Sequence, residues 1–114
     1  MNTRVYIAGP ITGVRGYKNN FRKAAKALHE AGYIPVDPTA PGDVAGADYR
    51  FYIDRGLILM QTCDMICMLP GSEGSKGAQM ELHYAVTVGL PIMQIQEDYS
   101  RILGVDMKEQ KQRY

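Results

Sequence analysis

Leu69-Pro70-Gly71-Ser72-Glu73-Gly74-Ser75-Lys76-Gly77-Ala78-Gln79-Met80-Glu81 decides how this chain is read. The stretch leaves an apolar run, crosses a turn rich in glycine and serine, and enters a segment with helical patterning. Backbone N–H groups in such a turn, at the start of a helix, suit convergence on an anion. Glu81 lies one helical turn past Gly77 and is the only carboxylate of that helix. Strand, glycine-rich turn and helix in succession form the unit from which parallel α/β sheets are built.

The remaining chain supplies the other units. Asp64–Leu69 is nearly all apolar, as expected of a strand covered on both faces. Arg4–Ala8 reads as a first, central strand that ends at Gly9-Pro10. After a loop with Gly13 and Gly16, a helix capped by Asn19 or Asn20 carries Phe21, Ala24, Ala25 and Leu28 on one face and stops at Gly32. Tyr33–Val36 is a second strand, and Pro35 puts it at an edge. Asp37–Ala47 is a long loop of the kind that is usually functional or mobile. Asp48 caps a second helix whose apolar set is Phe51, Tyr52, Leu57, Ile58 and Met60, weakened in the middle by Gly56. Met80, Tyr84, Ala85 and Val88 give the third helix its core face, Gly89 ends it, and Leu90–Ile95 is a fourth strand.

This order predicts one doubly wound α/β domain over residues 1–96 with a parallel sheet in strand order 2-1-3-4. Residues 97–114 are expected to be a polar tail, either one short helix or a surface packed on a neighbouring subunit. Ligands of such sheets sit beyond the carboxyl ends of the strands where the strand order reverses. Here that point lies between strands one and three, which brings Gly9–Gly13 and Pro70–Gly77 face to face.

Composition narrows the function. A net charge of +1 gives no basic track for a nucleic-acid polymer, so none is expected as a partner. No apolar run approaches the ~20 residues of a membrane span, and no leader pattern precedes the first strand, so the cytoplasm is the default location. Cys63 and Cys67 are too few and too close for a disulfide framework and read as reduced core thiols. His29 and His83 stand apart from any Cys or Asp cluster with metal spacing. Neither a metal nor a cofactor is expected.

Each site candidate has a plainer alternative. Ser75-Lys76-Gly77 matches neither the dinucleotide G-x-G-x-x-G nor the P-loop pattern, and it serves equally as a helix cap. Glu81 would suit an early helical turn through the macrodipole alone; the same dipole would keep it ionised, as a nucleophile requires. Tyr6 reads either as a core aromatic or as a hydroxyl reaching the site from strand one.

Three motifs taken together resemble the nucleoside 2-deoxyribosyltransferase-like superfamily. They are Tyr6-Ile7-Ala8-Gly9-Pro10-Ile11-Thr12-Gly13, Cys63-Asp64-Met65-Ile66-Cys67-Met68-Leu69-Pro70-Gly71 and Ser75-Lys76-Gly77-Ala78-Gln79-Met80-Glu81. The chain looks most like small phage and prophage members of unassigned function, and it is also similar to deoxynucleoside 5'-monophosphate N-glycosidases. The resemblance implies a flavodoxin-like three-layer fold and cleavage of an N-glycosidic bond in a nucleoside or nucleotide. It further implies that Glu81 attacks the anomeric carbon, that Tyr6 supports it, and that Gly9, Pro10 and Ile11 contact the substrate. Ser75 stands where members acting on 5'-monophosphates carry a phosphate-binding serine and transferases carry an aspartate. A hydroxyl beside the Gly77 N–H favours a phosphate dianion, so a nucleoside 5'-monophosphate is expected over a free nucleoside. The family places one more aspartate on the preceding helix, at the position of Gly56 here. Asp54 is the nearest carboxylate and the candidate for that acid, although two residues turn a helix by about 200°. The resemblance also implies a homodimer or higher homo-oligomer.

Overall fold

The computed structural model describes residues 2–106. Strand β1 (Arg4–Ala8) is central and pairs in parallel with β2 (Ile34–Val36) on one side and β3 (Met65–Met68) on the other. Strand β4 (Ile92–Ile95) continues in parallel from β3, and β5 (Ile102–Asp106) adds an antiparallel edge. The order is β2-β1-β3-β4-β5, which extends the expected 2-1-3-4 by one strand. Helix α1 (Tyr17–Glu30) covers one face of the sheet, while α2 (Tyr49–Met60) and α3 (Lys76–Val88) cover the other.

Alternation along β1 assigns its side chains to the two layers. Val5 and Ile7 join Phe21, Ala24 and Leu28 of α1 in one buried cluster. Tyr6 and Ala8 face the other cluster, with Met60 of α2 and Ala78 and Ala85 of α3. A tyrosine in the middle of the central strand is thereby aimed at the two helices that follow the long loop and the glycine-rich turn.

Strands β1 and β3 end in register, Ala8 opposite Met68, and the Leu69 N–H donates to the Ala8 carbonyl at 2.9 Å. The loops leaving them therefore start side by side. Gly9 is required there because a Cβ would stand 2.7 Å from the Leu69 side chain. Gly71 adopts φ 85°, and a Cβ on it would touch Pro10 at 3.6 Å, so the loops meet as their topology demands. At the opposite end of β1, Asp64 accepts from the Arg4 N–H at 2.9 Å, a structural role at the start of β3.

Some local expectations fail for identifiable reasons. Helix α1 begins at Tyr17 rather than Asn19 or Asn20; Gly16 in the left-handed region (φ 73°) turns the chain into it without any side-chain cap. The buried face of α3 is Ala78, Glu81 and Ala85, whereas Met80 and Val88 are exposed. An apolar stripe was expected to mark the inner face, but that face is built around a carboxylate. Phe51 and Ile58 are likewise exposed on α2, and its fully buried positions are Gly56 and Met60. In the stretch expected to be a polar tail or helix, Ile102–Asp106 completes the sheet as β5; positions 107–114 lie outside the described residues. No helix among the described residues is long and apolar enough to cross a membrane.

Gly9→Ala tests the close approach of β1 and β3. It is expected to lower stability by about 1–3 kcal/mol in urea unfolding, the cost of overfilling a packed site. Combined with Leu69→Ala the two losses should be non-additive, because the second change removes the atoms the new methyl meets.

Candidate active site

The loops after β1, β2 and β3 and the first turns of α2 and α3 enclose a cavity of about 780 Å³ at the carboxyl ends of the parallel strands. Its walls include the site residues expected from sequence: Tyr6, Gly9, Pro10, Ile11, Ser75, Gly77 and Glu81. Asp54 does not reach it. That side chain is exposed and lies 3.8 Å from Arg50 one turn back on the outer face of α2.

Glu81 and Tyr6 form the innermost polar pair. The Tyr6 hydroxyl donates to Glu81 Oε2 at 2.6 Å, and both residues are buried, at 1% and 8% exposure. Burial pushes the Glu81 carboxyl up from its ordinary 4.5 to about 7, and the hydrogen bond from Tyr6 opposes part of that rise. Burial and the neighbouring carboxylate hold the Tyr6 phenol far above its usual range, so the shared proton belongs to Tyr6. Desolvation thus outweighs the helix dipole that was expected to keep Glu81 fully ionised.

Gly56 explains how so tight a pair is accommodated. A Cβ at position 56 would stand 2.5 Å from Glu81 Oε2 and 2.6 Å from the Tyr6 hydroxyl. The backbone of α2 lies directly on the pair and seals it. An aspartate at this position cannot coexist with the observed pair geometry.

The start of α3 presents hydrogen-bond donors to the cavity. The Ser75 hydroxyl caps the helix by accepting from the Ala78 N–H at 3.2 Å, which leaves its own proton free to donate. Lys76 and Gly77 open the helix, and the Tyr49 hydroxyl stands over Gly77, 3.2 Å from where a Cβ would be. Gly74, Ser75, Lys76 and Gly77 all line the cavity. First-turn N–H groups, a hydroxyl and a lysine together favour a dianion.

From sequence alone the Asp37–Ala47 loop carries no residue roles. Pro38, Thr39, Gly42 and Asp43 from it line the cavity. Arg55 of α2 ties it down, donating to the Pro38 carbonyl at 2.9 Å and the Gly42 carbonyl at 3.2 Å. The Tyr52 hydroxyl accepts from the Val44 N–H at 2.9 Å. The Arg55 guanidinium also lies over the Tyr52 and Phe51 rings, 5.1 and 5.7 Å from their centroids. Helical spacing does place Tyr52 and Arg55 together, but nothing in the sequence names their loop partners. Tyr17 and Phe21 complete an aromatic wall. Cys67 is buried away from the cavity, its thiol pushed up to about 12 by burial.

This is a doubly wound α/β domain with a nucleoside 2-deoxyribosyltransferase-like fold. It superposes with a TM-score of 0.65 on the 2-deoxyribosyltransferase from the psychrotolerant bacterium Bacillus psychrosaccharolyticus, at 19% identity over 82% of this chain and 72% of that one. The chain belongs to the family described as "Domain of unknown function (DUF4406)", whose model matches residues 3–94. It is also 29% identical over 94 residues to a protein of Thermofilum pendens named "Putative 2'-deoxynucleoside 5'-phosphate N-hydrolase 1". That match takes in 79% of this chain, which spans 65% of the relative's length.

The buried carboxylate has a consequence for stability. Because its folded-state pKa is raised, its contribution is fully present below about pH 4.5 and is lost as pH rises through about 7. A rise from 4.5 to about 7 corresponds to about 3 kcal/mol. Glu81→Gln, neutral throughout, should therefore be more stable than wild type by up to about 3 kcal/mol above pH 7 and nearly equal to it below pH 4.5. Urea unfolding at pH 4.5 and pH 8 checks this. Gly56→Ala should act oppositely, losing about 1–3 kcal/mol at both pH values as the new methyl displaces the pair.

Proposed function

We propose that this chain hydrolyses the N-glycosidic bond of a 2'-deoxynucleoside 5'-monophosphate, with Glu81 as the nucleophile. The observation that carries the proposal is the buried Glu81–Tyr6 hydrogen bond in the same cavity as the anion-binding start of α3. The named activity of the Thermofilum pendens relative and the 2-deoxyribosyltransferase fold support the same reaction class.

Phosphate held at Ser75 and Gly77 anchors the 5' end and leaves the sugar within the cavity. One Glu81 oxygen accepts from Tyr6, which orients the carboxylate and leaves the other oxygen to attack C1'. The bond from C1' to the base nitrogen breaks as the bond from C1' to Glu81 forms. Water then cleaves the resulting ester, giving 2-deoxyribose 5-phosphate and returning Glu81. This two-step logic is that of retaining glycosidases. Tyr17, half-buried in the cavity wall, offers flat apolar surface for a base. Ser75, where a carboxylate would repel phosphate, favours hydrolysis of monophosphates over base exchange between free nucleosides. We further propose that the active species is a homo-oligomer.

Gly56 favours a second reading, nucleotide binding without turnover, since the family's acid position is vacant. A panel of deoxynucleoside 5'-monophosphates separates the two, with released base measured by chromatography and binding by melting shift. Base release that is abolished in Glu81→Gln supports hydrolysis. Binding with no release supports the second reading, and the absence of both release and binding excludes both.

The titration of the nucleophile sets the pH profile. Only ionised Glu81 attacks, so kcat/KM should fall about tenfold per unit below pH 7. Tyr6→Phe removes the hydrogen bond that lowers the Glu81 pKa, and the acid limb should move to higher pH. An unmoved limb in Tyr6→Phe would mean that Glu81 is not the group being titrated.

A further inference from the structure

We infer that the Tyr49 hydroxyl is a ligand of the substrate's 5'-phosphate and strengthens the preference for a phosphate monoester; this rests on the hydrolase reading above. Tyr49 opens α2 and lines the cavity. Its hydroxyl comes within 3.2 Å of where a Cβ on Gly77 would stand. It therefore lies over the first turn of α3, beside the Ser75 cap.

The packing of α2 on α3 puts it there. Tyr49, Ile53 and Gly56 fall on one line along α2 at helical spacing, and Gly77 and Glu81 lie one turn apart on α3. The two lines meet reciprocally. The Glu81 carboxylate fills the space over Gly56, 2.5 Å from where a Cβ would be. The Tyr49 hydroxyl and the end of the Ile53 side chain fill the space over Gly77, at 3.2 and 3.4 Å. Each helix lacks a side chain where the other presents a polar group beside the cavity.

The spacing along this seam fits a nucleotide. Gly77 and Glu81 are separated by about 6 Å along the α3 axis. In a nucleotide, C1' and the 5'-phosphorus are separated by a distance of the same order. With C1' at Glu81, the phosphate falls at Gly77, under the Tyr49 hydroxyl.

Tyr49 also has the proton that such a contact needs. Tyr6 gives its own to Glu81, and Tyr52 donates to the Val44 carbonyl while accepting from the Val44 N–H. The Tyr49 hydroxyl faces a helix start, where a negative acceptor is favoured. At 55% exposure, Tyr49 can lose its hydroxyl without opening the core.

Wild type and Tyr49→Phe are compared in two measurements. With a deoxynucleoside 5'-monophosphate, the variant should raise KM about 10–100-fold, the effect of losing one hydrogen bond to a charged group, with a smaller change in kcat. In calorimetry it should bind 2-deoxyribose 5-phosphate more weakly by a similar factor. Plain 2-deoxyribose, which lacks the phosphate, should bind the two proteins alike. Equal binding of the sugar phosphate by both proteins overturns the role of Tyr49. So does equal weakening with the plain sugar, which would assign Tyr49 to the sugar or to the shape of the cavity. Failure of wild type to bind the sugar phosphate overturns it as well. A wild type that binds the sugar phosphate but releases no base overturns the hydrolase reading and leaves the Tyr49 comparison to be decided by calorimetry.

Discussion

The 2.6 Å hydrogen bond from Tyr6 to Glu81 is the constraint around which the site is arranged. A carboxylate this buried is costly unless it is paired or neutralised. Here it receives one strong donor and a pKa near 7, so that at neutral pH the ionised and protonated forms are comparably populated. The arrangement is unfavourable to the fold as pH rises and useful to chemistry for the same reason. An unoccupied oxygen in a desolvated setting is more reactive than one in water. The pair also fixes the spacing of three elements. The central strand delivers Tyr6, α3 delivers Glu81, and α2 approaches so closely that its contact residue has no side chain.

Two loops surround this pair. The turn before α3 gives the proposed phosphate-binding end, where Ser75 caps the helix. The β2–α2 loop forms the facing wall and is pinned through Arg55 and Tyr52 rather than through a core of its own. One end of the proposed substrate thus meets backbone geometry and the other meets a loop held by side chains.

Much of this was legible in the sequence. The β-α-β-α-β-α-β order dictates the arrangement of the four parallel strands, and topology alone puts the loop at Gly9–Pro10 against the turn at Gly71. Resemblance singles out Tyr6 and Glu81 as site candidates; the residues alone leave a core aromatic and a partly exposed glutamate of an early helical turn as alternatives. What the sequence concealed follows from its own rules. Periodicity assigns apolar residues inward, so it turned α3 toward Met80 and Val88 when the inner face is built on Ala78, Glu81 and Ala85. Propensity reads Gly56 as a weak point in a helix, whereas its role is clearance for atoms 50 and 25 positions away (Tyr6 and Glu81). Strand β5 was hidden because an antiparallel edge strand needs no continuous apolar run. The clasp on the β2–α2 loop carries no local signal, since it depends on Arg55 and Tyr52 reaching back to the loop.

The central claim, a covalent bond between Glu81 and the sugar, is tested most directly by intact-protein mass spectrometry. The protein is mixed with a deoxynucleoside 5'-monophosphate analogue bearing fluorine at sugar C2, which slows hydrolysis of the ester, and is quenched in acid. The account predicts a mass increase of one fluorinated sugar phosphate, mapped to the peptide containing Glu81 and missing from Glu81→Gln. Release of base with no adduct, or with an adduct on another residue, would contradict it.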